Sequence, residues 1–150
     1  MKMNHQDILQ IIPHRYPFLF IDGVLECDEK SFIIGYKNVT LNEPYVYLDS
    51  RENPRLPESL IVECMAQVGA VAILSRPENQ SRIMLFAAVE DLQFHSPVYP
   101  GAQLISHVQP VFLKGTLGKM KGVAYVLNQI VAEGFFTYAL TDRVSKPASL

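Results

Sequence analysis

The sequence predicts an α+β domain in which one antiparallel sheet wraps a single buried helix. Residues 60–74 read LIVECMAQVGAVAIL, with Glu63 and Gln67 as the only strongly polar side chains, so the segment is a helix covered on nearly all sides. Six β-rich segments flank it, the last with Phe136, Tyr138 and Leu140 alternating with Thr137, Ala139 and Thr141, the period of a strand with unlike faces. A lone helix that is apolar all round has no cover other than a sheet curling about it. The 150 residues, 49% hydrophobic and 19% charged, suit one domain spanning 1–150, because two half-length domains would each be marginal.

The elements follow in order. Residues 4–12 form a short amphipathic helix that Asn4 caps, with Asp7 three positions on as in a capping box, and Pro13 stops it. Residues 18–27 and 31–40 are paired strands around a polar turn at 28–30, with Phe32, Ile34 and Tyr36 on one face. A loop rich in proline and charge covers 42–57, and Pro57 opens the buried helix, which ends near Ser75 before Pro77. Four strands follow at 82–94, 103–113, 120–132 and 134–142, with KGTLGKMKG as a glycine-rich hairpin and a loose tail at 145–150.

Composition excludes several function classes. The net charge of −2 and the lack of long single-sign runs leave no global field for nucleic acid. The fifteen-residue apolar run falls short of a bilayer span of about twenty, and its carboxylate is costly there. Cys27 and Cys64 make no CxxC and no disulfide framework, which suits a reducing cytoplasm, and the first thirteen residues hold too little apolar sequence for a secretory signal. His5, His14, His95 and His107 show no metal-ligand spacing, so no metal is expected.

Glu63 is the sharpest single clue. A carboxylate amid apolar residues either finds partners and fixes the helix, or shifts its pKa upward and serves as a general acid near neutral pH. Gln67, four residues on, shares its face. His14 reads by itself as a packed or capping histidine and Cys64 as a small buried hydrophobe. Lys114, Lys119 and Lys121 cluster at the hairpin, a solvated face or a local basic patch for an acidic carrier.

Five stretches, IPHRYPFLFID (12–22), KNVTLNEP (37–44), LIVECMAQ (60–67), LFAAVEDLQFHSPVYPG (85–101) and GKMKGVAYV (118–126), occur in an order and spacing that resembles the FabZ type of (3R)-hydroxyacyl-acyl carrier protein dehydratase. The resemblance covers about residues 8–142 and implies the hot-dog fold. Such dehydratases take an α proton with the histidine of a GHFPGxPVMPG loop, handle the 3-hydroxyl with a helix glutamate, and polarise the thioester carbonyl with the backbone amide of the loop's last glycine. Laid on this sequence without gaps, the acid falls on Glu63, with Gln67 beside it, and the polarising amide on Glu58 after Pro57.

The base falls on Asp49. The loop reads LDSRENPRLPE (48–58), so Leu48, Glu52 and Glu58 stand where that family has glycines, while Pro54 and Pro57 match. An aspartate carboxylate, which ordinarily titrates at about 3.9, is a weaker base than imidazole, which does so at about 6.5. Gly23 and Ala102 also depart from the family's arginine and aspartate. His14 and Tyr16, in the first stretch, are implied to touch substrate. The resemblance further implies no metal or redox cofactor, an acyl group on the phosphopantetheine of acyl carrier protein or on coenzyme A, and a homodimer joined sheet edge to sheet edge, often as a trimer of dimers. Three readings follow: a divergent dehydratase with an Asp49/Glu63 carboxylate pair; a non-catalytic member that binds acyl groups or acyl carrier protein, or a half-enzyme that works in a heterodimer with a complete paralogue; and a hot-dog acyl thioesterase.

Overall fold

The computed structural model describes residues 1–28 and 31–143; the tail at 145–150 and part of the turn at 28–30 lie outside them. Helix α1 (His5–Ile11) begins on the capping box expected from Asn4 and Asp7, each side chain accepting from the other's backbone amide. Ile8 and Ile12 seat it in the core.

Strands β1 (Gly23–Asp28) and β2 (Phe32–Asn38) pair antiparallel. They are shorter than the sequence implies because residues 18–22 are not strand. The Phe20 amide donates to Gln67 Oε1 at 2.8 Å, and Gln67 Nε2 donates to the Phe18 carbonyl at 3.1 Å. A helix side chain thus takes the place of a neighbouring strand. In β2, Ile33, Gly35 and Lys37 turn inward, and Phe32, Ile34 and Tyr36 form the half-buried outer face.

Tyr47–Leu48 (β3) and Pro54–Arg55 (β4) make a small hairpin inside the expected loop. Helix α2 (Glu58–Leu74) is the long apolar segment, and twelve of its residues are buried. At Gly35 an added Cβ would strike Val68, so α2 lies directly on β2 there.

A short 3₁₀ turn, Pro77–Asn79, leads to β5 (Arg82–Phe94), β6 (Gln103–Lys114), β7 (Leu117–Val126) and β8 (Gln129–Asp142). The last two strands divide at Leu127 and Asn128, both at positive φ (48° and 64°), not at Glu133 as the sequence implied. Tight hairpin turns favour glycine or asparagine at such angles, and leucine gives no such signal. The six strands order as β1-β2-β6-β7-β8-β5, all neighbours antiparallel.

Phe136 and Tyr138 of β8 point inward and are fully buried. This is the expected α+β hot-dog arrangement, a sheet around one helix. The sheet ends on β5, whose Leu85, Phe86, Val89, Leu92 and Phe94 are exposed. Among the described residues no helix is long and apolar enough to cross a membrane.

Candidate active site

Glu63 lies in the second turn of α2 and faces the 14–20 segment. Its carboxylate accepts a hydrogen bond from Gln67 Nε2 at 2.7 Å, and its side chain is 23% exposed. Burial pushes its pKa above the usual carboxylate range, while the Gln67 hydrogen bond pulls the other way. Gln67 is itself buried. Its oxygen takes the Phe20 amide, and its nitrogen serves both the Phe18 carbonyl and Glu63, so its amide cannot be flipped without losing all three bonds.

The structure brings one further titratable group to Glu63. His14 Nε2 stands 3.7 Å from Glu63 Oε1, with the imidazole 29% exposed. Burial first, then the adjacent Arg15 charge, hold its pKa below the usual histidine value. Arg15 locks this turn by donating to the carbonyls of Leu9, Ile12 and His14, two of which belong to the open end of α1. His14 therefore faces the Glu63 carboxyl, a placement its sequence neighbourhood did not reveal.

Asp49 is elsewhere engaged. Its Oδ1 accepts from the Arg51 amide at 2.8 Å and the Asn53 amide at 3.0 Å, closing the β3–β4 turn. Those bonds, aided by Arg55 and Arg51, hold its pKa below the ordinary carboxylate value. Among the described residues no hydrogen bond or ion pair within the chain joins Asp49 to Glu63.

Pro57 is the N-cap residue of α2, and no side chain caps that end. Glu58, the first helical residue, presents an N–H with no acceptor inside the helix, and its carboxylate pairs with Arg55. The Leu56 amide donates to the Val98 carbonyl and ties this end to the rest of the fold. Tyr16 is 89% exposed, on the rim of a surface cleft of about 410 Å³ that Lys37, Glu43 and Tyr45 also line.

Lys37 and Glu43 form an ion pair at 3.0 Å, nearly buried on both sides, with Lys37 over the Phe20 ring. Sequence reasoning missed this pair. Its only trace is a lysine at an inward position of β2 six residues before a glutamate. Cys64, fully covered, has a thiol pushed far up by burial, which suits an inert hydrophobe. Lys119 and Lys121 of the expected basic patch are paired with Glu90 and Glu133. Among the described residues no group of three or more histidines, cysteines or carboxylates is placed to hold a metal.

The raised pKa of Glu63 has a measurable consequence. A carboxyl that is harder to ionise in the folded state stabilises the fold most below its unfolded pKa, here about the ordinary 4.5, and loses that contribution as pH rises through the raised folded value. Glu63→Gln keeps an acceptor for Gln67 and cannot ionise. Relative to wild type, its unfolding free energy is expected to increase from about pH 4 upward and to level off above the folded pKa. Urea unfolding at a series of pH values checks this; a difference that does not change with pH contradicts it.

Residues 12–134 match the FabA-like domain family. The chain is 46% identical over 133 residues to 3-hydroxyacyl-[acyl-carrier-protein] dehydratase FabZ of Caldicellulosiruptor saccharolyticus, covering 89% of this chain and 95% of that one. It is 44% identical over 140 residues to the FabZ of Bacillus subtilis, covering 93% and 99%. Among solved structures, the dehydratase heterocomplex ApeI:P from Xenorhabdus doucetiae shares the fold at a TM-score of 0.78, with 13% identity over 91% of both chains. With the family matched over residues 12–134 and identities of 44–46% across about nine-tenths of the chain, the chain belongs to the FabA-like family as a homologue of the FabZ dehydratases.

Proposed function

We propose that this chain is a divergent 3-hydroxyacyl thioester dehydratase, a lyase of fatty-acid or polyketide-type metabolism that acts in the cytoplasm. The observation that carries the reading is Glu63: a largely buried carboxyl with raised pKa, oriented by Gln67, in a homologue of FabZ dehydratases. A carboxyl whose pKa burial raises is suited to give its proton to the departing 3-hydroxyl, which leaves as water. The free N–H of Glu58 polarises the thioester carbonyl and so acidifies the α proton. The acyl group arrives on the phosphopantetheine of acyl carrier protein or on coenzyme A, and no metal or redox cofactor takes part. The apolar open edge at β5 supports edge-to-edge pairing of two sheets in a homodimer, alone or as a trimer of dimers.

Asp49 occupies the loop position of the family's histidine. Its carboxylate closes its own turn, and that observation favours a second reading, in which a complete paralogue supplies the base in a heterodimer.

Purified homogeneous protein, given 3-hydroxybutyryl and crotonyl thioesters, is expected to interconvert them, read by enone absorbance. No turnover from a folded, normally assembled protein overturns the first reading. Activity that appears only on co-expression with a complete paralogue establishes the second, and release of free thiol marks a thioesterase instead.

A further inference from the structure

We infer that His14, not the loop residue Asp49, is the general base of this site, working beside Glu63 of the same chain. The inference rests on the dehydratase reading and deepens it. Dehydration of a 3-hydroxyacyl thioester removes a proton from one carbon and a hydroxyl from its neighbour, two centres about 1.5 Å apart. A base and an acid that each approach their group to about 2.6–3.2 Å must then lie only a few ångströms from each other. His14 Nε2 and Glu63 Oε1 are 3.7 Å apart and both side chains are partly exposed, 29% and 23%. The two groups therefore meet at a partly exposed point, within the few ångströms that the reaction requires.

The environment of the ring suits a base. Nε2 accepts a proton only if Nδ1 carries the other one. Nδ1 is buried and meets no hydrogen-bond partner among the described residues, so no fixed carboxylate stabilises a resting imidazolium from that side. Burial and the Arg15 charge act in the same direction. Among the described residues the charged groups beside the ring are Arg15 and Glu63; Arg15 is anchored to three carbonyls. Asp49, by contrast, spends its carboxylate on two backbone amides of its own turn.

The step balances within this pair. His14 Nε2 takes the C2 proton, and the electrons of that C–H bond become the C2=C3 double bond. The C3–O bond breaks, and the oxygen leaves as water with the proton from Glu63. His14 is then imidazolium and Glu63 carboxylate, at 3.7 Å, and transfer of one proton across that gap restores the starting state. No external acid, base or redox partner is consumed.

The test compares wild type with His14→Gln, His14→Asn and Asp49→Asn, and His14→Ala with and without added imidazole, on a 3-hydroxybutyryl thioester of N-acetylcysteamine, with folding checked by circular dichroism. Both polar His14 variants are expected to lose about 10²- to 10⁴-fold in kcat, the usual worth of a general base, with KM changed by less than about threefold. The acidic limb of the wild-type pH profile is expected to move or vanish in them, and imidazole is expected to restore part of the His14→Ala activity, which a merely structural residue would not allow. Activity within about threefold of wild type in every folded His14 variant, above all with a loss confined to Asp49→Asn, overturns the inference and leaves the dehydratase reading intact. So does a loss that imidazole does not restore and that leaves the acidic limb in place. A wild type with no turnover at all overturns both.

Discussion

Glu63→Gln is expected to lower dehydration of a 3-hydroxyacyl thioester by about 10²- to 10⁴-fold while the protein stays folded. Glutamine is nearly the same shape and still accepts from Gln67 Nε2, as the carboxylate does at 2.7 Å, so the helix and the Phe18–Phe20 segment have no reason to move. What is lost is the proton for the leaving hydroxyl, an interaction that matters only as the C–O bond breaks. The loss therefore appears in kcat and in kcat/KM alike, with KM little changed. Steady-state kinetics in both directions of the reaction measures it. Equal activity in wild type and Glu63→Gln would remove Glu63 from the chemistry and leave it as a helix-positioning group.

The second large effect lies in the packing. Phe136 of β8 is fully buried, and a Cβ added at Gly122 would meet both the Phe136 ring, at 2.8 Å, and Met65 of α2, at 3.1 Å. The ring thus fills the space between sheet and helix where β7 has no side chain. Phe136→Ala leaves a cavity that neither a glycine nor a regular strand can fill, and costs about 3–5 kcal/mol. For a domain of this length that lowers Tm by roughly 6–20 °C, read by thermal unfolding followed by circular dichroism. A drop of under about 3 °C would mean that the core repacks around the gap.

Periodicity was enough for most of the fold because each element carries its burial in its own residues. The alternation of Phe136, Tyr138 and Leu140 marks the inner face of β8, the apolar run 60–74 marks the filling, and Asn4 with Asp7 marks the start of α1. The misread boundaries have one cause. Residues 18–22 carry the apolar and aromatic composition of a strand, but the Phe20 amide and the Phe18 carbonyl are satisfied by the Gln67 side chain; Leu127 and Asn128 turn without glycine. Composition reports what a residue prefers to be near, not which atom satisfies its backbone.

The site divides along the same line. Glu63 was legible in the sequence because a carboxylate inside an apolar run is costly wherever the helix goes, and Gln67 because helical spacing puts it on the same face. Asp49 was singled out by the resemblance alone, and the engagement of its carboxylate was not legible, since the amides of Arg51 and Asn53 reach it only once the turn has closed.

His14 and Glu63 are forty-nine residues apart, and Lys37 meets Glu43 only because β2 ends where the following loop doubles back. By itself the sequence determined a sheet-wrapped helix carrying a carboxyl and an amide inside its apolar run. Only the tertiary structure decided what faces that carboxyl, because contacts between distant segments depend on how the helix is seated on the sheet and where the connecting turns end, and no local pattern of residues encodes either.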